Sequence, residues 1–154
     1  MIEYSFIEDN DKKALIARDV LEGLEEWFGI EESREEYIAN SRNTLFIAAF
    51  DNGEPCGFIS IGETGKDTCE IYVIGVKKDL HRGGIGKNLF SMAREEAKKK
   101  GYSFMQVKTV KMGVYDIYDK TNLFYRSLGF KEFEVFPLLW DEHNPCQIYV
   151  MSLQ

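Results

Sequence analysis

The stretch Val73-Ile74-Gly75-Val76-Lys77-Lys78-Asp79-Leu80-His81-Arg82-Gly83-Gly84-Ile85-Gly86-Lys87 constrains this chain more than any other part of it. An apolar run suited to a strand passes through a glycine-rich turn and straight into a long amphipathic helix. Backbone N–H groups at a helix start lack internal partners, point outward, and carry the positive end of the helix dipole. Gly83, Gly84 and Gly86 let the main chain come close to an anion, and Arg82 and Lys87 add full charges. The combination is a cradle for a pyrophosphate.

Two nucleotide motifs fail here. A P-loop needs G-x-x-x-x-G-K-[ST]; Gly86-Lys87 is followed by Asn88, and His81 stands where the first glycine belongs. A dinucleotide fingerprint needs G-x-G-x-x-G; Leu89 occupies the third glycine position. The turn also follows what reads as an antiparallel meander, not the first strand of a βαβ unit.

The meander is legible from apolar runs and turn residues. Residues 2–7 read as a strand. Residues 11–24 carry Ala14, Ala17, Leu21 and Leu24 at helical spacing, with Asn10 or Asp11 as cap. Ser33 and Glu36 form a capping-box pair for a short helix ending near Ala39. Thr44–Phe50 and Cys56–Ile61 flank Asp51-Asn52-Gly53-Glu54-Pro55, a hairpin signal, and a second turn over Gly62–Thr68 leads to the strand Cys69–Val76. Strands joined by turns this tight are antiparallel. The helix after the glycine turn presents Ile85, Leu89, Ala93 and Ala97 on one face and ends at Gly101, with Lys98-Lys99-Lys100 complementing its dipole. Ser103–Thr109 is a further strand, parallel to the one before the helix by the right-handed crossover rule. A helix over Asp119–Leu128 closes at Gly129, and Phe130–Phe136 and Gln147–Ser152 pair around a loop, Pro137–Pro145.

The expected fold class is therefore α/β, a mixed sheet in one domain spanning 1–154. An apolar fraction of 44% supports one substantial core. The net charge of −7 and the lack of a basic face beyond the turn argue against nucleic acid. No apolar run is long enough to span a bilayer, and Met1-Ile2-Glu3-Tyr4 does not begin a signal peptide. Cys56, Cys69 and Cys146 are widely spaced and odd in number, which points to reduced thiols and a cytoplasmic location. With His81 and His143 the only histidines, no metal site is expected.

The glycine turn resembles a signature of the GNAT superfamily of N-acetyltransferases, R/Q-x-x-G-x-G/A, in its frequent form y-H-R-x-G-I-G-k. Read strictly, Asp79 stands at the Gln/Arg position and Arg82 at the first glycine. A second signature, F-Y-x-x-x-G-F, is similar to Phe124-Tyr125-Arg126-Ser127-Leu128-Gly129-Phe130; the N-x-x-A that usually precedes it is replaced by Tyr118 and Thr121. The order of elements fits that family over nearly the whole chain.

The resemblance implies a mostly antiparallel sheet splayed between strands four and five, with helices on both faces. It implies acetyl-CoA as cosubstrate, its pyrophosphate on His81, Arg82, Gly83, Gly84, Ile85, Gly86 and Lys87, and its pantetheine arm along Ile74, Gly75 and Val76, where Gly75 would mark a bulge. The Val76 N–H becomes a candidate oxyanion donor and Tyr125 the general acid at the leaving thiolate. Asn122 and Arg126 fall beside the cofactor. Glu70 is a candidate base, with a solvated strand-end residue as the plainer account; Tyr72 shares its face by alternation. Trp27, Phe28 and Trp140, each beside carboxylates, suit an acceptor amine on an apolar body or else close the core edge. The acceptor is a primary amine of a small molecule or peptide. A homodimer is compatible with the family. A CoA-binding sensor without efficient catalysis is the alternative, and the unassigned base and missing N-x-x-A favour it.

Overall fold

The computed structural model describes residues Met1–Gln154. Seven strands form one sheet in the order β1-β2-β3-β4-β5-β7-β6: β1 (Ile2–Phe6), β2 (Leu45–Asp51), β3 (Glu54–Glu63), β4 (Thr68–Val76), β5 (Phe104–Val110), β6 (Lys131–Asp141) and β7 (Asn144–Ser152). Every neighbouring pair is antiparallel except β4 and β5. The helices are α1 (Asn10–Leu21), α2 (Glu25–Phe28), α3 (Glu31–Ser41), α4 (Ile85–Lys99) and α5 (Asp116–Ser127).

Alternation along the central strands builds two cores. Ile47 and Ala49 of β2 face α4 and α5, where they join Leu89, Ala93, Val107 and Tyr125. Phe46 and Ala48 face α1 and α3, packing with Ala17, Val20, Leu21 and Ile38. Helices thus cover both faces, and the middle strands read as continuous apolar runs because neither face meets water.

The parallel pair decides where a site can form. β4 and β5 are in register only from Thr68↔Phe104 to Ile71↔Val107. Beyond Ile71, β4 runs on to Val76 bonded to β3 alone, while β5 stays with β7. The sheet is open there, the splay expected between strands four and five.

Local chemistry explains where the elements depart from expectation. The cap of α1 is Asp9, whose Oδ1 accepts from the N–H groups of Asp11 and Lys12 at 2.9 and 3.2 Å. Ser33 and Glu36 do not cap: α3 already starts at Glu31, after an extended Ile30. The first hairpin is tighter than expected, with Asn52 and Gly53 both at positive φ, a type I′ turn. α5 begins three residues early, and the loop expected over Pro137–Pro145 is strand at both ends. Pro137–Trp140 forms a bulge between the pairs Phe136↔Cys146 and Asp141↔Asn144.

Candidate active site

The turn between β4 and α4 is built from two kinds of glycine. Gly84 caps α4 with φ +82°, a left-handed conformation that suits glycine. Gly86 sits where an added Cβ would stand 3.2 Å from Cζ of Phe124, so the two signature motifs touch at this point. Gly83 has neither constraint. Gly84 and Gly86 are thus the operative pair, which puts His81, rather than Asp79, three residues before the first of them. Arg82 takes φ +70° in the exposed turn, a strained conformation for a side-chain-bearing residue. The first intrahelical bond runs from Asn88 N–H to Gly84 O at 3.0 Å, leaving the amides of Ile85, Gly86 and Lys87 to the helix mouth. The Ile85 side chain is buried in the core, so it offers only its amide.

The strand leading to the turn supplies an open backbone edge. Lys77 N–H donates to Cys56 O at 2.8 Å. On an antiparallel strand successive residues bond to opposite sides, so Ile74 and Val76 point their N–H and C=O groups away from β3 and into the splay. The Val76 carbonyl there lies 2.6 Å from His81 Nε2. A carbonyl only accepts, so this ring nitrogen carries the proton. The bulge expected at Gly75 is absent: it stays in register with Phe58, and the only shift between β3 and β4 lies at Ser60/Ile61. Glycine suits the position because a Cβ would crowd the Val20 and Leu24 methyls at 3.2 Å. α1 and the segment after it press directly on the strand.

Tyr125 lies on α5, 6% exposed, among Phe124, Phe130 and Tyr149. Burial pushes its phenol well above the ordinary value, and the charges of Tyr37 and Glu70 add to the effect. Those two groups belong to the other face of the sheet, so their influence reaches the phenol through the splay.

Beyond the gap is a cleft of about 330 Å³ lined by Glu36 and Tyr37 of α3, Glu70 and Tyr72 of β4, Lys108 of β5 and Trp140 of β6. Glu70 is 9% exposed, not a solvated strand end, and its Oε1 lies 3.0 Å from Lys108 Nζ. The Tyr72 hydroxyl accepts from Asn40 Nδ2 at 2.9 Å, and its ring lies 5.1 Å from that of Tyr37. Burial pushes the Tyr37 phenol up to about 12, helped by Tyr72, Tyr118, Glu70 and Glu36.

The structure therefore brings Glu70, Tyr72 and Trp140 together but separates the other two aromatics expected beside them. Trp27 packs edge-on against the His81 ring, at 5.7 Å, and belongs to the anion-cradle side. Phe28 packs against Tyr37 at 5.6 Å, behind the cleft wall. Asn122 presents no atom to the groove. It is fully buried, donating to Val110 O at 2.9 Å and Tyr118 O at 2.6 Å and accepting from Tyr149 OH at 2.6 Å. Its place beside a cofactor is replaced by a task in holding α5 to β5 and β7. Arg126 is likewise committed, to Tyr149 and Glu132. Glu36, Tyr37 and Lys108 were missed. The signal for Lys108 was a polar residue at the centre of a buried strand; that for Glu36 and Tyr37 was hidden by reading Glu36 as a cap.

Residues 41–132 match the family model described as acetyltransferase (GNAT) domain. Among solved structures, a protein from Desulfovibrio desulfuricans assigned to the GNAT family superposes with a TM-score of 0.84 at 18% identity, over 100% of both chains. An aminoglycoside 6′-N-acetyltransferase complexed with coenzyme A gives 0.74 at 20% identity, covering 99% of this chain and 97% of that one. A ribosomal-protein-alanine N-acetyltransferase from Escherichia coli gives 0.76 at 19%, covering 100% and 95%. Among curated proteins none matches. At these identities the superpositions speak for the fold alone.

Proposed function

The chain belongs to the GNAT acetyltransferase family, and on that premise we propose that it transfers an acetyl group from acetyl-CoA to a primary amine of a small molecule or peptide, by direct attack in a ternary complex. One observation carries the reading. The amide cluster at the head of α4 adjoins a splayed strand edge, with Tyr125 in the core cluster against which Ile74 and Val76 pack on one face of the sheet, and an acidic, aromatic cleft on the other. The amides of Gly84 to Lys87, with Arg82 and Lys87, suit a pyrophosphate. The Ile74 backbone groups and the Val76 N–H suit the amide groups of pantetheine, which would add to β4 as a short strand does.

The activated acyl group is what the coenzyme supplies; the protein's part is to position, polarise and move protons. The Val76 N–H points into the splay and suits the thioester oxygen as negative charge develops on it. The lone pair of the neutral amine forms the N–C bond as the C–S bond breaks. The sulfur takes the proton of Tyr125, a phenol that is protonated near neutrality. The surplus proton on nitrogen passes to Glu70, or through water to solvent, and the tyrosinate is reprotonated in turn.

The test is calorimetry with CoA, followed by release of free thiol from acetyl-CoA across a panel of amines. Coenzyme binding with amine-dependent thiol release is expected. Coenzyme binding with no transfer to any amine would favour a sensor; preference for ATP or NAD would overturn the coenzyme assignment.

A further inference from the structure

We propose that Tyr149 is a positioning residue for the transfer step, its buried hydroxyl fixing the setting of α5 and thereby the reach of Tyr125; this deepens the acetyltransferase reading and rests on it. The side-chain hydrogen bonds of α5 leave the Tyr125 hydroxyl without a partner in the protein. No local bond aims it, so its place is inherited from that of the helix. Four side-chain hydrogen bonds tie α5 to the sheet. Two of them end on one atom. The Tyr149 hydroxyl of β7 donates to Asn122 Oδ1 at 2.6 Å and accepts from Arg126 Nε at 3.1 Å. Asn122 is anchored in turn to Val110 O of β5 at 2.9 Å, and Arg126 to Glu132 of β6 at 3.2 Å. Asn122 and Arg126 are one helical turn apart with Tyr125 between them, so the phenol grips α5 on both sides of the acid.

Tyr149 is fully buried, and its ring lies 6.3 Å from that of Tyr125. Its single hydroxyl proton is spent on Asn122, so it has none to give a leaving thiolate. Stability alone does not call for this arrangement. Replacing both partners of a buried hydrogen bond by apolar groups of the same shape is nearly neutral, so an apolar pair would hold α5 to the sheet as firmly. What the polar pair adds is direction, because a hydrogen bond fixes an angle where apolar packing tolerates sliding. The setting matters at the tip of Tyr125. A side-chain end about 6 Å from the helix axis moves by about 1 Å when the helix turns by about 10°. A misplacement of about 1 Å can cost a reaction about a hundredfold.

The experiment is a double-mutant cycle of Tyr149→Phe with Tyr125→Phe, read as kcat for thiol release from acetyl-CoA, with CoA affinity by calorimetry alongside. Tyr149→Phe alone is expected to lower kcat about tenfold while the dissociation constant of CoA stays within about twofold. In the Tyr125→Phe background the same substitution should cost nothing further, because the group it positions is gone. Arg126→Gln, a change at a half-exposed side chain, repeats the cycle in a protein whose core is untouched; a loss of about threefold that also vanishes without the Tyr125 hydroxyl is expected. An equal loss in both backgrounds would make Tyr149 a general support of the fold, and an unchanged kcat would make its hydroxyl idle; either overturns the inference alone. Full turnover in Tyr125→Phe overturns the acid assignment and the inference with it. No turnover with any amine, in a protein that binds CoA, overturns the transferase reading as a whole.

Discussion

The His81 ring donates to the Val76 carbonyl across 2.6 Å, closing the turn between β4 and α4 on itself. His81 sits in extended backbone just after a single 3-10 turn, Lys78–Leu80, and Trp27 packs edge-on against its other side. The bond therefore holds the cradle in shape before any anion arrives. His81→Ala is expected to weaken CoA binding about tenfold, the worth of one short hydrogen bond plus the ordering it imposes. Calorimetry at constant salt checks this. An unchanged dissociation constant would mean that the turn is held by its glycines alone.

Burial raises the Tyr125 phenol above its ordinary value, which keeps it protonated near neutrality. It can give a proton but cannot act as base near neutrality. Tyr125→Phe is expected to lower kcat about a hundredfold with little effect on CoA affinity, the usual worth of one general acid. The unaltered protein should show no loss of rate between pH 9 and 10 attributable to this phenol. A variant retaining full turnover would assign Tyr125 to packing only.

The sequence made the fold legible where one interaction dominated. Continuous apolar runs between turn residues announced the central strands, and Gly101 and Gly129 marked helix ends at which both adopt positive φ. The anion cradle was legible because a left-handed cap leaves glycine as its natural occupant. What stayed hidden depended on contacts between distant segments. Trp27 and Trp140 look alike in sequence, an aromatic beside acids, yet one meets His81 and the other lines the cleft. Glu70 read as a solvated strand end because its partner, Lys108, stands 38 positions away in sequence on the parallel neighbour. Asn122 shows the same limit: besides a bond within its own helix to Tyr118, it bonds Val110 of β5 and Tyr149 of β7, and those two distant partners decide its role.

Gly75 ties helix packing to the open strand edge. A Cβ there would meet Val20 and Leu24 at 3.2 Å and Leu21 at 3.4 Å, all within a close-packed core. Gly75→Ala is expected to cost about 2 kcal/mol, as overpacked cores do, and to lower Tm by roughly 4–8 °C. Relief by a compensating Val20→Ala would locate the strain between strand and helix. Thermal melts of the two single variants and the double variant decide it.

Alkaline pH should unfold the protein for a reason visible in its core. Burial pushes the thiols of Cys69 and Cys146 up to about 11 and the phenol of Tyr37 to about 12. In the unfolded chain these groups ionise near 8.5 and 10. The folded state therefore keeps protons that the unfolded state has released, and stability falls as pH rises. The contribution is complete below about pH 8.5 and drains away up to pH 11–12. A loss of several kcal/mol between pH 8 and 10.5, read as a progressive fall in Tm, is the expected size. Replacing both thiols (Cys69→Ala with Cys146→Ala) should lower Tm at pH 7 through lost packing yet flatten its decline above pH 8.5. A decline of equal slope in the double variant would place the alkaline transition on other groups.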